Sequence, residues 1–440
     1  MIDEIPSVAG AYVRDAIIPQ SPPPVSERGA IKWIRQNLFS GWFNTVLTIT
    51  GLICIFLILR GALPWFLNSV WNANSLAECR AIIAERAGPG ADGACWAMIR
   101  ERWHQFTFGF YPSDLYWRPT LAFILMFVAL APVLFMSLPR KMLWFTVIYP
   151  ALGYWLLWGG SVWGPVVAML AFVAGGLVYN LVAPRTSVVI GTAAAFVTAC
   201  LWWLFVQTPL STTLQSIIPL AIQDVDSDQF GGFLLAITIG ITAISGSLPL
   251  GILLALGRQS DMLLIKVLCV GFIEFIRGVP LITILFTASL LLQYFLPPGS
   301  NFDIILRVII MATLFASAYI AEVIRGGLAA LPRGQYEAAD ALGLDYWKAQ
   351  RLIIMPQALK IAIPGIVSSF IGLFKDTTLV AFVGLMDPLK GITGVVRADI
   401  NWKGIYWEPY IFVGAIFFII CFGMSRYSMY LEKKLKREHR

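Results

Sequence analysis

The residues of this chain that could do chemistry are few, and they favour charge recognition over catalysis. Among 440 residues there are two histidines and six cysteines, and the cysteines show no C-x-x-C spacing. Clustered metal ligands and histidine-based catalytic relays are therefore excluded, and no metal site is predicted. What remains are charges inside otherwise apolar runs, above all Lys375 and Asp376. A charge in such a place is costly, so a functional role is the expectation.

Lys375, Asp376, Thr377 and Thr378 follow one another near the middle of an apolar run at 361–385. We expect them to line or gate the path of a polar solute. The alternative is that the helix unwinds near Gly372 and the charges only hold two helices together.

A second polar group, the stripe formed by Thr238, Thr242 and Ser245, recurs at i, i+4 and i+7 of another apolar run. Such a stripe lies on one helix face. It could face the same path or serve helix packing, and both interpretations stay open.

Two copies of E-[FV]-I-R-G place an acid three residues before an arginine: Glu274 with Arg277, and Glu322 with Arg325. This spacing brings both charges to one helix face. Because both copies lie near the predicted inner boundary of the membrane, they are predicted to be structural ion pairs rather than substrate contacts.

The elements that must position these residues are membrane helices. Hydrophobic residues make up 58% of the chain, charged residues only 13%, and the mean hydropathy is +0.76, whereas soluble domains carry roughly 25% charged residues. The net charge of +7 is interpreted as a basic face beside anionic lipid, with no nucleic-acid partner. The predicted fold class is all-α, a polytopic transmembrane bundle.

Counting apolar runs of about 20 residues predicts about ten spans. The run at 260–296 is too long for one crossing, so we predict an interfacial helix, a break at 277–280 and then a span. The predicted organisation is an N-terminal cytoplasmic segment (1–41), a transmembrane extension (42–206) with an outer loop (68–117), an outer linker (207–229), a five-span core (230–433) and a basic tail (434–440).

The distribution of Lys and Arg predicts that both termini are cytoplasmic, since most basic loops then face inward. The segment 386–409, which carries Lys390, Arg397 and Lys403, breaks the rule. On this map Cys79 and Cys95 face the oxidising side, and a disulfide between them is favoured over two free thiols.

One predicted cytoplasmic loop, 325–357, has the pattern of two short helices around a glycine. Gly343 suits a left-handed helix end, Asp345 can cap the next helix, and Pro356 begins the return to the membrane. Such a helix–turn–helix would fit a groove on a soluble partner.

The loop resembles the EAA loop of the membrane subunits of ABC importers. The spacing E-A-A-x3-G-x9-I-x-[LM]-P is formed by six residues, with Met355 where the family usually has Leu: Glu337, Ala338, Ala339, Gly343, Ile353 and Pro356. The resemblance implies that this loop docks on a separate cytoplasmic ATPase dimer, which binds ATP and Mg. The chain itself has no G-x-x-x-x-G-K-[ST] motif, so we expect no cofactor in it and no enzymatic activity.

Residues 275–281, 321–327 and 373–379 resemble the polar amino-acid branch of these permeases, over about 230–433. The overall layout is similar to general L-amino-acid and glutamate/glutamine/aspartate/asparagine permease subunits. The resemblance implies a multi-pass subunit of the bacterial inner membrane that passes zwitterionic polar L-amino acids. The implied partners are a second homologous permease, the ATPase dimer and a periplasmic binding protein.

Two other functions stay open on the residues alone. An ion-coupled secondary transporter would work without an ATPase and would not need the loop at 325–357. An intramembrane enzyme would need a nucleophile–base or metal constellation, and none is found in the sequence.

Overall fold

The computed structural model describes residues 29–135, 137–291, 294 and 303–437, and these are almost entirely helical. The last three residues of the predicted basic tail (438–440) lie outside this range, as does most of the predicted segment 1–41. The α-helices are, in chain order, α1 (Gly29–Asn37), α2 (Trp42–Leu67), α3 (Leu76–Ala87), α4 (Ala97–Phe108), α5 (Trp117–Leu134), α6 (Leu143–Trp158), α7 (Trp163–Val182), α8 (Val188–Leu201), α9 (Gln207–Ile217), α10 (Gly232–Gln259), α11 (Leu263–Gly278), α12 (Leu281–Phe286), α13 (Ile304–Ala329), α14 (Arg333–Ala341), α15 (Tyr346–Ala349), α16 (Met355–Asp376), α17 (Pro388–Gly391) and α18 (Trp407–Arg437).

Short irregular elements join several of these helices. Single π-helical turns occupy 202–206, 287–291, 350–354 and 392–396, and a 3-10 helix follows α16 at Thr377–Val383. Two two-residue strands, Gly160–Ser161 and Ala221–Ile222, pair antiparallel, with Gly160 opposite Ile222. They connect the turn between α6 and α7 to the linker after α9.

The chain divides into two compact units. The first comprises Met1–Val70 and Arg80–Ala94. Its α2 is apolar along 26 residues and buries none of them within the chain. Such a helix is expected where lipid or another chain supplies the apolar surroundings.

The second unit comprises Trp71–Cys79 and Cys95–Arg440, and it contains the five-span core. Helices α10, α13 and α16 pack closely because small residues lie between them. A Cβ added at Gly251 would meet the Ile320 side chain at 2.6 Å, and one at Gly327 would meet the Ala358 carbonyl at 2.5 Å. Helices α5–α9 belong to the same compact unit as the core.

Eight helices of the described residues are long and apolar enough to cross a membrane, or nine if the bent pair around 279–280 is one span. The two arms of that pair, 263–278 and 281–289, meet at 103°, so the predicted break at 277–280 is confirmed. The prediction of about ten spans also counted α6, which has only 16 residues. A helix of that length is about 24 Å long and falls short of the usual hydrocarbon thickness.

The predicted linker at 207–229 is helical over its first half. Helix α9 continues α8 through the π turn, and the whole segment Val188–Ile217 is 30 residues long. Likewise, the span predicted at 361–385 belongs to a longer helical segment, Tyr346–Val383. In the second case helix-forming residues before the apolar run, such as Lys348, Ala349 and Gln350, extend the helix beyond the run.

Candidate coupling and translocation sites

Residues 333–357, named here the EAA hairpin, form two helical arms around Gly343. Gly343 has a φ of +68°, and its N–H donates to the Asp340 carbonyl at 2.9 Å, while the Leu344 N–H donates to the Ala339 carbonyl at 3.2 Å. These two bonds are the Schellman arrangement that ends a helix at a left-handed residue. The predicted helix end at Gly343 is confirmed.

The second arm begins at Asp345, whose carboxylate accepts the Lys348 backbone N–H at 2.9 Å and pairs with the Lys348 ammonium at 2.9 Å. The predicted cap is therefore present. The side-chain and backbone hydrogen bonds from Lys348 lower the pKa of the Asp345 carboxyl below its ordinary value. The arm runs through the π turn at 350–354 into α16 without a break.

The hairpin has a buried underside and an apolar outer face. Ala339 and Ile354 are buried, and Gln357 ties the arms together by donating to Gln335 Oε1 at 2.9 Å. Four large apolar side chains of the hairpin, named here its outer face, are exposed: Leu342 at 72%, Leu352 at 63%, and the aromatic rings of Tyr346 and Trp347. Exposed apolar side chains are typical of protein or membrane contact sites.

The six EAA-motif residues divide between these two faces. Ala339 is buried and Ile353 half-buried, whereas the other motif residues are exposed: Glu337, Ala338, Gly343 and Pro356. Pro356 lies in the first turn of α16, directly after the π turn at 350–354.

A cluster of charges lies where α10, α11 and α13 meet at the base of the hairpin. Glu322 is the acceptor for three arginines: Arg258 at 2.7 Å, Arg325 at 3.0 Å and Arg277 at 3.5 Å. Glu274 pairs with Arg258 at 2.8 Å. The predicted Glu322–Arg325 pair is confirmed.

The predicted ion pair between Glu274 and Arg277 is wrong, because each of the two residues pairs with a different partner. Arg258, in the last turn of α10, pairs with Glu274, and Arg277 pairs with Glu322 on α13. In the sequence, Arg258 is a lone basic residue between two apolar runs. A lone arginine at a helix end gives no sign of which distant acid it will meet.

Lys375 and Asp376 do not lie in the middle of an α-helix. Helix α16 ends at Asp376, and Thr377 begins the 3-10 segment. Lys375 is exposed, Asp376 and Thr378 are half-buried, and Thr377 is buried, with its hydroxyl donating to the Phe374 carbonyl at 2.7 Å. The helix therefore changes form at the charged pair, four residues beyond Gly372.

The structure does not bring Thr238 and Thr242 together with this group. A Cβ at Gly240, between them, would meet Phe374 at 2.8 Å and Thr377 at 3.5 Å. Since two residues turn a helix by about 200°, both threonines point away from α16. They line a cavity bounded by α5, α6, α10 and the start of α13.

A third assembly, named here the disulfide module, comprises residues 71–79 and 95–116 with 386–408. Cys79 and Cys95 form a disulfide with their Cα atoms 6.1 Å apart. The Cys95 N–H donates to buried Glu408 at 2.8 Å, and the Trp402 indole donates to Glu101 at 2.9 Å. Arg102 forms an ion pair with Asp399.

The segment 386–408, which carries Lys390, Arg397 and Lys403, is held against α4 as folded structure, and Arg397 lies over the Tyr406 ring at 4.4 Å.

Comparison with known proteins identifies the family to which this chain is similar. The family described as "Binding-protein-dependent transport system inner membrane component" matches residues 247–437. The chain is 68% identical over 430 residues to the glutamate/glutamine/aspartate/asparagine transport system permease protein BztC of Rhodobacter capsulatus, covering 98% of this chain and 99% of the relative. It is 38% identical to the inner membrane amino-acid ABC transporter permease protein YhdY of Escherichia coli K12, covering 95% and 97%.

A solved structure is also similar. The crystal structure of an amino acid ABC transporter with histidines matches at 30% identity and a TM-score of 0.41, covering 46% of this chain and 91% of that chain. With near-complete coverage of the two curated relatives, the chain belongs to the family of binding-protein-dependent inner-membrane transport components and is a permease subunit of an amino-acid ABC importer.

Proposed function

We propose that the EAA hairpin is the surface through which a separate cytoplasmic ATPase drives this permease. The observation that carries the proposal is the exposure of the apolar side chains Leu342, Tyr346, Trp347 and Leu352 on a hairpin whose helix end at Gly343 is fixed by its own hydrogen bonds. A rigid apolar projection is suited to insertion into a cleft. Because the chain has no P-loop, ATP and Mg would bind only to the partner.

The base of the hairpin offers a route for that coupling. Helix α13 carries Glu322 and leads into the hairpin, and the Glu322 contacts tie it to α10 and α11. A movement of the hairpin would therefore reach three membrane helices together. The pairs Glu322–Arg325 and Glu274–Arg258 would serve this rigid connection rather than contact substrate.

The remaining partners follow from the family. We propose a second homologous permease, an ATPase dimer, and a periplasmic binding protein that delivers the amino acid. The Rhodobacter capsulatus relative is named for glutamate, glutamine, aspartate and asparagine, and we propose these polar L-amino acids as substrates. Both termini would be cytoplasmic, which places the Cys79–Cys95 disulfide on the oxidising side.

For the translocation path we propose the group at the end of α16. Lys375 and Asp376 carry opposite charges where the α-helix gives way to a 3-10 helix, beside the hydroxyls of Thr377 and Thr378. Opposite charges side by side match the two ends of a zwitterion. Asp376→Asn is expected to reduce uptake, and full uptake in that variant would contradict the assignment.

The test of the coupling proposal is amino-acid-dependent ATPase activity of the reconstituted importer carrying Gly343→Asp. A side chain at Gly343 meets no atom within 4 Å but must adopt a φ of +68°, so the hairpin should deform without an internal clash. We expect about a fivefold loss of coupled activity, since a left-handed non-glycine residue costs roughly 1 kcal/mol and misplaces the docking face.

Gly334→Asp is the matched control. Gly334 lies in the same hairpin, also has no neighbour within 4 Å and has no positive φ, so it should retain most activity. Equal loss in both variants would show that added charge, not shape, is responsible. Uptake that persists without any ATPase and collapses with an ionophore would instead favour the ion-coupled alternative.

A further inference from the structure

A cavity of about 330 Å³ lies between the helices of the N-terminal extension and the core. Helices α5 and α6 form one wall, and α10 with the start of α13 forms the other. Its size is within the range of about 300–1,000 Å³ found for small-molecule sites. Along α13 it extends from Asp303 to Ile309, which is about 9 Å of helix.

Apart from its exposed mouth, the cavity is lined mainly by apolar side chains, and this part is named here its floor. Most lining side chains are aliphatic or aromatic, among them Met126, Ile241 and Ile309. Two polar lining groups already have partners: the Tyr149 hydroxyl donates to the Ala122 carbonyl at 2.8 Å, and the Thr238 hydroxyl donates to the Leu234 carbonyl at 2.7 Å. A ligand that fills this floor therefore needs a hydrocarbon part.

The mouth has the opposite character. Asp303 is the one charged residue among the described lining residues, and it is exposed. One of its oxygens accepts the Leu306 N–H at 2.9 Å as the cap of α13. Tyr154, which is 50% exposed, stacks on Trp158 with ring centroids 5.1 Å apart and presents an aromatic surface to the same cavity.

A carboxylate beside aromatic rings, with no cation among the described lining residues, selects a positively charged group. An anionic headgroup or a free carboxylate would face Asp303 without any compensating charge. The apolar lining gives the charged backbone groups of a free amino acid little to bind, whereas it suits a hydrocarbon chain.

We propose that this cavity holds one acyl chain of a bilayer lipid with an ammonium headgroup, of the phosphatidylethanolamine type. The chain fills the space between the extension and the core, and the ammonium group of the lipid lies against Asp303 and the Tyr154 ring. The lipid then packs between helices α5 and α6 on one side and helices α10 and α13 on the other. The extension thereby completes a lipid site that the core helices alone do not enclose.

The experiment is native mass spectrometry of the purified full-length permease complex, titrated separately with phosphatidylethanolamine and phosphatidylglycerol. The wild type should prefer phosphatidylethanolamine. In Asp303→Asn this preference should fall about fivefold, the size expected for losing one exposed charge contact and weakening one cation–π contact. Asparagine keeps the helix cap, so the fold of α13 is preserved.

Asp228→Asn is the matched control, because Asp228 is an exposed acid of the preceding linker that does not line the cavity. It should leave the preference unchanged. Thr242→Phe places a ring in the cavity and should reduce retention of both lipids, whereas Thr242→Val keeps the volume and should retain them.

Three outcomes would overturn the proposal. They are equal binding of the two lipids by the wild type, an unchanged preference in Asp303→Asn, and displacement of bound lipid by free glutamine. The last result would mean that the cavity is an amino-acid site. Should Asp303→Asn fail to assemble, the Thr242→Phe and Thr242→Val pair tests the same cavity from the other wall.

Discussion

The EAA hairpin and the disulfide module are both folded segments between membrane helices, and they are stabilised in opposite ways. In the hairpin, contacts between residues three to five apart fix each helix end, as at Gly343 and Asp345. In the module, the bonds join residues about 300 positions apart, such as Glu101 with Trp402. The hairpin leaves its apolar face open, whereas the module buries Trp402 completely.

This difference indicates different roles. A segment with local stabilisation keeps its shape while its outer face stays free for a partner. A segment fixed by distant bonds to the core forms part of the permease itself. Changes in the module should therefore affect folding first, and changes on the hairpin face should affect ATPase binding first.

The largest expected effect on stability comes from removing the Cys79–Cys95 disulfide. Replacing Cys79 and Cys95 by serine removes a link across 16 residues of chain, and we expect the module to lose about 3 kcal/mol against local unfolding. Native-state trypsin digestion of the purified protein measures this opening. Cys54→Ser, which changes a free exposed cysteine, is the control and should leave the digestion rate unchanged.

The next largest effect on stability is expected at Glu322, which forms ion pairs with arginines of two other helices near the EAA hairpin. Glu322→Gln leaves three arginines without their acceptor charge, and Glu322 is only 15% exposed, so we expect a loss of about 2 kcal/mol. Thermal unfolding of the purified complex measures it. The more exposed Glu274 provides the control, since Glu274→Gln should cost less than about 1 kcal/mol.

A smaller, local effect is expected at Asp345. Asp345→Ala removes the cap of the second arm, so hydrogen exchange at the Lys348 amide should quicken about fivefold. The pKa of Asp345 is lowered in the fold, so the cap is present above the ordinary aspartate pKa. It is lost as the pH falls through the lowered pKa. Asp340→Ala, in the same hairpin without a capping role, should show neither change.

The smallest effect on folding is expected at Leu352, on the open face. Leu352→Ala should change stability by less than about 0.5 kcal/mol while weakening retention of the ATPase during purification. A variant that loses stability but keeps its ATPase would reverse the roles assigned to the two segments.

The features that could be predicted from sequence are those set by near neighbours. The left-handed position of Gly343, the Asp345 cap and the break before Pro280 each follow from residue type and a few adjacent residues. The prediction of ion pairs from i,i+3 spacing was correct for Glu322 with Arg325 but wrong for Glu274 with Arg277. The i,i+3 rule describes one helix and says nothing about an arginine arriving from another.

Local sequence is enough to predict a helical membrane protein with a two-armed hairpin around Gly343, because apolar run lengths and helix-end signals act locally. It does not reveal that Glu322 pairs with three arginines or that Thr242 lines a cavity away from Lys375. Only the tertiary structure shows these features, together with the hydrogen bond between Glu101 and Trp402. These contacts depend on which helix faces meet, and that is set by the packing of the whole bundle.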